Sequence, residues 1–220
     1  MTFKHEPTRP IKDEAYKAYL ILVNARKVAG SFFSLFETLR DNRGAGTYTD
    51  QEQDLLRAMV AFASAGLDAM VKQLIRDTLP KVAHNIDGSH VSFEGYIERR
   101  LKKDPDKSIQ FIAKIIADKN PRARLVKEWI EDLTADSMQS VEQLSKAAAS
   151  FDIPTATLTN DLNKIKKIFT MRNEIVHEMD IDFSRNNRSR RSRKKTEMKE
   201  ATEELFDIAN RFLKAVDQKI

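Results

Sequence analysis

The sequence predicts an all-α protein: long antiparallel helices in an up-and-down bundle, with a helical insertion in the middle. Three observations predict it. Glycine and proline, the strongest breakers of regular structure, number only six each in 220 residues. No stretch shows the alternation of apolar and polar residues that a half-buried strand requires. Over most of the chain apolar residues recur at three- and four-residue intervals, which lays them along one face of a helix. At 41% hydrophobic residues the chain can bury a full core as one domain spanning residues 1–220.

The first long helix is expected over about residues 11–40, with the stripe Ala15, Ala18/Tyr19, Leu22, Ala25, Val28/Ala29, Phe32/Phe33, Phe36 and Leu39, closed by Gly44 and Gly46. A second opens at Thr49, with Glu52 three residues on as in a capping box. Its stripe is Leu56, Met59/Val60, Ala63, Leu67, Met70/Val71 and Leu74, and Pro80 marks its stop. The short connection makes the two antiparallel neighbours, so that core helices fill residues 11–79.

Residues 81–150 read as the insertion, a loop and then three or four shorter helices with breaks near Asp104-Pro105, Asn120-Pro121 and Ala135-Asp136. Trp129, on a helix opened by Pro121, is read as a core anchor in preference to a base-stacking platform. His84 and His90 flank Asp87 and Gly88, but no further ligands follow at suitable spacing, so both histidines are read as exposed loop residues and no metal site is expected.

The motif helix follows over about residues 157–179, and a last helix carries Met198, Ala201, Leu205, Ile208, Phe212 and Val216 at regular spacing towards residue 218. The last helix is expected to pack antiparallel along the motif helix. Between them, residues 184–195 hold Arg185, Arg188, Arg190, Arg191, Arg193, Lys194 and Lys195 and no acid. The chain's net charge of +5 therefore leaves 5 − 7 = −2 for the remainder. Such a run reads either as a solvated connector or as an arm for a nucleic-acid backbone, and its place next to the motif favours the arm.

Composition excludes several classes. Without cysteine there are no disulfides or thiolate metal sites, which fits a reducing cytoplasm. Residues 1–10 carry Lys4, His5, Glu6 and Arg9, so no signal peptide is visible. The longest charge-free apolar run, residues 58–67, falls well short of the ~20 residues of a membrane helix, and no membrane span is expected.

The run Arg172-Asn173-Glu174-Ile175-Val176-His177 carries the functional signal. Asn173 and His177, four apart, point the same way along the helix, with Arg172 about 100° round. Arg172 also falls within the apolar stripe of Leu162, Ile165, Ile168, Phe169, Ile175, Val176 and Met179, where a guanidinium needs an acid or an anionic ligand. An arginine followed four to six residues later by a histidine arises about once by chance in such a chain; requiring the adjacent asparagine and one fixed spacing is about a hundredfold more selective.

At these residues the chain resembles the HEPN superfamily (higher eukaryotes and prokaryotes nucleotide-binding), whose signature is arginine, a polar residue, three residues and histidine on a helix of an all-helical protein. The resemblance implies a metal-independent endoribonuclease with no cofactor, of the kind found in bacterial toxin–antitoxin and phage-defence systems. It also implies a homodimer whose two motifs face one cleft, and an antitoxin or sensor as a further partner. The substrate 2′-hydroxyl would attack phosphorus, His177 would serve as base or acid, Arg172 would stabilise the developing charge, and Asn173 would contact the phosphate or hold the ring. Asp68 admits two roles: a one-turn pair with Lys72, or, as the resemblance implies, the acid that orients Arg172. A catalytically inactive RNA-binding or regulatory dimerisation module is the alternative. A helical DNA-binding protein using the basic run as an arm ranks below both.

Overall fold

The computed structural model describes residues 3–103 and 105–220, and all their side chains except those of His84, Pro105 and Asp106. The described residues are all-α. A 3-10 turn at Asp13–Ala15 leads into α1 (Tyr16–Arg43), α2 (Asp50–Asn85), α3 (Asp87–Lys103), α4 (Pro105–Ile116), α5 (Pro121–Ala135), α6 (Val141–Ser150), the single turn α7 (Thr155–Leu158), α8 (Leu162–His177) and α9 (Lys195–Asp217).

α1 and α2 are antiparallel: Arg43 reaches Glu52 at 2.8 Å at one end, and Lys81 pairs with Glu14 at the other. A Cβ on Gly66 would lie 2.2 Å from the Cβ of Ala25, so the crossing admits only glycine there. The expected capping box starts α2, with Thr49 Oγ1 accepting from the Glu52 amide at 3.2 Å and Glu52 Oε2 accepting from the Thr49 amide at 2.6 Å.

Pro80 does not stop α2, which runs on to Asn85. Leu79 and Val82 beside it are buried, and at about 1.5–3 kcal/mol each they offset the ~3 kcal/mol that an interior proline costs. The expected loop shrinks to Ile86, whose extended backbone (φ −125°, ψ 120°) turns the chain into α3. Asp87, Gly88 and His90 are therefore helical rather than in a loop, and His90 lies 3.4 Å from Glu94 one turn on. Asn120 caps α5 as its position before Pro121 suggests, accepting from the Ala123 amide at 3.2 Å. Of the break expected at Asp104-Pro105, Asp104 lies outside the described residues.

The motif helix is also shorter than its apolar spacing suggests. Thr159 Oγ1 accepts from the Asp161 amide at 3.1 Å, and Asp161 in turn caps α8 through the Lys164 amide at 2.9 Å. These local bonds compete with helix and divide the segment into α7 and α8. α9 lies chiefly along α2, with α1 and α7 as further neighbours; α8, its expected partner, reaches it through side chains such as Lys164 on Glu204.

One cluster of buried apolar side chains extends from Phe3 to Val216 and takes in the middle segment, where Trp129 packs 5.2 Å from the ring of Phe93. Among the described helices α2 alone is long and apolar enough to cross a membrane. Here most of its large apolar residues, among them Leu56, Met59, Leu67, Met70, Leu74 and Leu79, are covered by protein, and Phe62 is the large one left exposed.

Candidate functional site

α8 ends at His177, and its last turns bring the motif together. Arg172 Nη1 donates to Asn173 Oδ1 at 3.0 Å and lies 3.1 Å from Nε2 of His177. Asn173 and His177 are exposed, while Arg172 is half-buried. Its Nε is enclosed without a hydrogen-bond partner, and no described acid stands within ion-pair distance of its guanidinium. Burial pulls the arginine below its ordinary pKa, and the negative charge of Asp68 opposes that pull. With no described carboxylate beside it, the guanidinium has only Asn173 and His177 as hydrogen-bond partners, both through Nη1.

Asp68 does what its spacing first suggests. Its Oδ1 lies 3.1 Å from Lys72 Nζ and accepts the Met138 amide at 2.7 Å. It acts on Arg172 through space, without a hydrogen bond.

The turn after His177 is held by a buried ionic cluster that the sequence pattern did not single out. Met179 and Asp180 both adopt left-handed backbone (φ 53° and 59°), at about 1–2 kcal/mol each for non-glycine residues. Asp180 is fully buried and accepts from Arg57 Nε at 2.7 Å and from Arg193 Nη2 at 2.5 Å. Arg193 also donates to Glu174 at 2.7 Å, and Arg57 to the Arg191 carbonyl at 2.7 Å. The end of the motif helix is thereby tied to α2 and to the approach to α9. One sign was present in the sequence: Arg57 sits between Leu56 and Val60, inside an apolar stripe, as Arg172 does in its own.

The basic run is not a free arm. Arg185 pairs with Asp182 at 3.0 Å, Arg190 with Asp54 at 2.6 Å, Arg191 with Glu174 at 3.7 Å, and Lys195 with Glu37 at 2.7 Å, while Arg193 is buried in the Asp180 cluster. An isolated antiparallel bridge between Ile181 and Arg190 closes the segment into a hairpin. Of the seven cations, Arg188 and Lys194 alone lack an ion pair with a described residue. Lys195 belongs to α9.

Compared with protein-family models, curated proteins and solved structures, the chain matches none.

Proposed function

We propose that the protein is a metal-independent endoribonuclease that cleaves RNA by transesterification. The observation that carries this reading is the meeting of Arg172, Asn173 and His177 within 3.1 Å on an exposed helix end, with no acid neutralising the arginine. The ribose O2′ attacks the adjacent phosphorus as the P–O5′ bond breaks. His177 takes the 2′-hydroxyl proton or delivers one to the leaving O5′. Arg172 turns its planar fork to the non-bridging oxygens, where charge grows in the transition state. Asn173, whose Oδ1 already holds Arg172, keeps its amide N–H groups for the phosphate.

A single imidazole leaves one proton transfer without a named partner, and the HEPN resemblance supplies it from a second copy across a shared cleft. Val176 and Met179, exposed apolar side chains beside the motif, are compatible with such a contact. The same resemblance suggests a cytoplasmic toxin or phage-defence effector. The non-catalytic alternative draws on one observation, that Arg172 occupies the ring nitrogen of His177.

Incubating RNA with the protein in EDTA tests the proposal. Cleavage should leave 2′,3′-cyclic phosphate and 5′-hydroxyl ends, and a single 2′-deoxy substitution should protect its linkage. Intact RNA, or cleavage that survives loss of His177, would overturn it.

A further inference from the structure

With most of the basic run engaged internally, cations able to meet a polyanion stand elsewhere. Lys166, Thr170, Asn173 and His177 are spaced by four, three and four residues, which sets them along one strip of α8. All four are exposed. The strip runs over the twelve residues from Lys166 to His177, about 16 Å of helix, enough for several nucleotides of an extended strand.

Beside it lies a groove of 610 Å³, lined by Asn163, Lys166, Lys167, Thr170, Met171 and Glu174 of α8 and, opposite, by Arg193 and Glu197, with Glu174 and Arg193 paired to each other at 2.7 Å. Neither Lys166 nor Lys167 has a side-chain hydrogen bond or ion pair with a described residue, whereas Lys164 on the same helix is held by Glu204. Carboxylates stand on the far wall, Glu197 here and Glu200 in the adjoining hollow. With Glu174 and Arg193 neutralising each other, the remaining charges are cationic on the α8 lip and anionic on the α9 lip.

We propose that this lip is the path of single-stranded RNA: Lys166 and Lys167 hold phosphates of the strand leading to the bond at His177, and Thr170 and Asn173 contact the sugar–phosphate chain between. The glutamates repel the strand from the α9 wall and keep it on the motif side. The inference rests on the ribonuclease reading and assigns its substrate-positioning residues.

Fluorescence anisotropy with a labelled single-stranded RNA of about 15 nucleotides, in a full-length His177→Ala background, measures binding apart from cleavage. Lys166→Glu/Lys167→Glu should weaken binding at least tenfold and reduce the slope of log Kd against log salt by about 1.4, as expected for two phosphate contacts. Arg188→Glu/Lys194→Glu should change it far less. Thermal melting checks the fold, and the milder Lys166→Gln/Lys167→Gln pair should show the same trend. Unchanged affinity and slope, in a protein whose wild-type form cuts RNA in EDTA, would overturn the path and leave the ribonuclease reading standing. No binding and no cleavage would overturn both, and lip-dependent binding without cleavage would keep the path and remove the catalysis.

Discussion

Arg172 Nη1 stands 3.1 Å from Nε2 of His177, so the arginine donates to the very nitrogen that a general base must keep free. That bond requires the ring proton on Nδ1. Under the proposed mechanism an entering phosphate would compete for the guanidinium with a charge-assisted bond roughly twice as strong as a neutral one, and Nε2 would be released as substrate arrives. Nitrogen-15 NMR of the imidazole should find the Nδ1–H tautomer without ligand and a displaced Nε2 resonance with a non-cleavable dinucleotide. An Nε2–H tautomer in the free protein would contradict the arrangement.

Arg172→Ala and His177→Ala should each abolish cleavage at little cost in stability, because His177 is exposed and Arg172 makes no ion pair with a described residue. Asn173→Ala removes one hydrogen-bonding group; a loss of about 10²–10³ in rate, the size seen for single oxyanion donors, is expected. Arg172→Lys keeps the charge but not the fork and should resemble alanine more than wild type. Rates from single-turnover cleavage, set beside melting temperatures, separate chemistry from folding.

Asp180→Ala should be the most damaging single change near the site. It leaves the buried Arg57 and Arg193 without their shared carboxylate and removes the anchor of two left-handed residues. Breaking a buried ionic network from one side costs about 3–5 kcal/mol. Chemical denaturation should show that loss, and hydrogen exchange should rise at residues 178–193 before it rises in α2.

Gly66→Ala tests the crossing of α1 and α2. Its new methyl would lie 2.2 Å from the Cβ of Ala25, backed by helix on both sides. Overpacking of this kind costs about 1–3 kcal/mol, readable as a lower midpoint in urea with an unchanged slope.

Where helices carry their own signals, the sequence was enough. α1, α2 and α9 follow from their apolar spacing, the start of α2 from Thr49 and Glu52, and the start of α5 from Asn120 and Pro121. It misled where tertiary burial outweighed a local breaker, as at Pro80, and where short side chains captured the backbone, as at Thr159 and Asp161. The motif was legible because its three residues lie within two turns of one helix. The state of the basic run was not: two of its partners, Glu37 and Asp54, lie more than a hundred residues away, the nearer ones, Glu174, Asp180 and Asp182, lie outside the run, and charge along a chain does not reveal what that charge faces. The same blindness hid the lysines of α8.

Acid should loosen the start of α2 in a defined window. The Arg43 guanidinium, bonded to Glu52, holds that carboxyl below its usual 4.5 against the opposing effect of burial, and the Thr49 amide adds to the shift. A carboxylate with a depressed folded pKa stabilises the fold fully above its unfolded value and loses that contribution as pH falls through the folded one. The contribution of Glu52 is therefore constant from neutral pH down to about 4.5 and fades only below it. Glu52→Gln keeps a side-chain acceptor but cannot titrate. The wild type should melt higher than this variant near neutrality, and the gap should close progressively below pH 4.5; a gap that stays constant to strong acid would show that the ionised form of Glu52 adds nothing beyond the neutral amide.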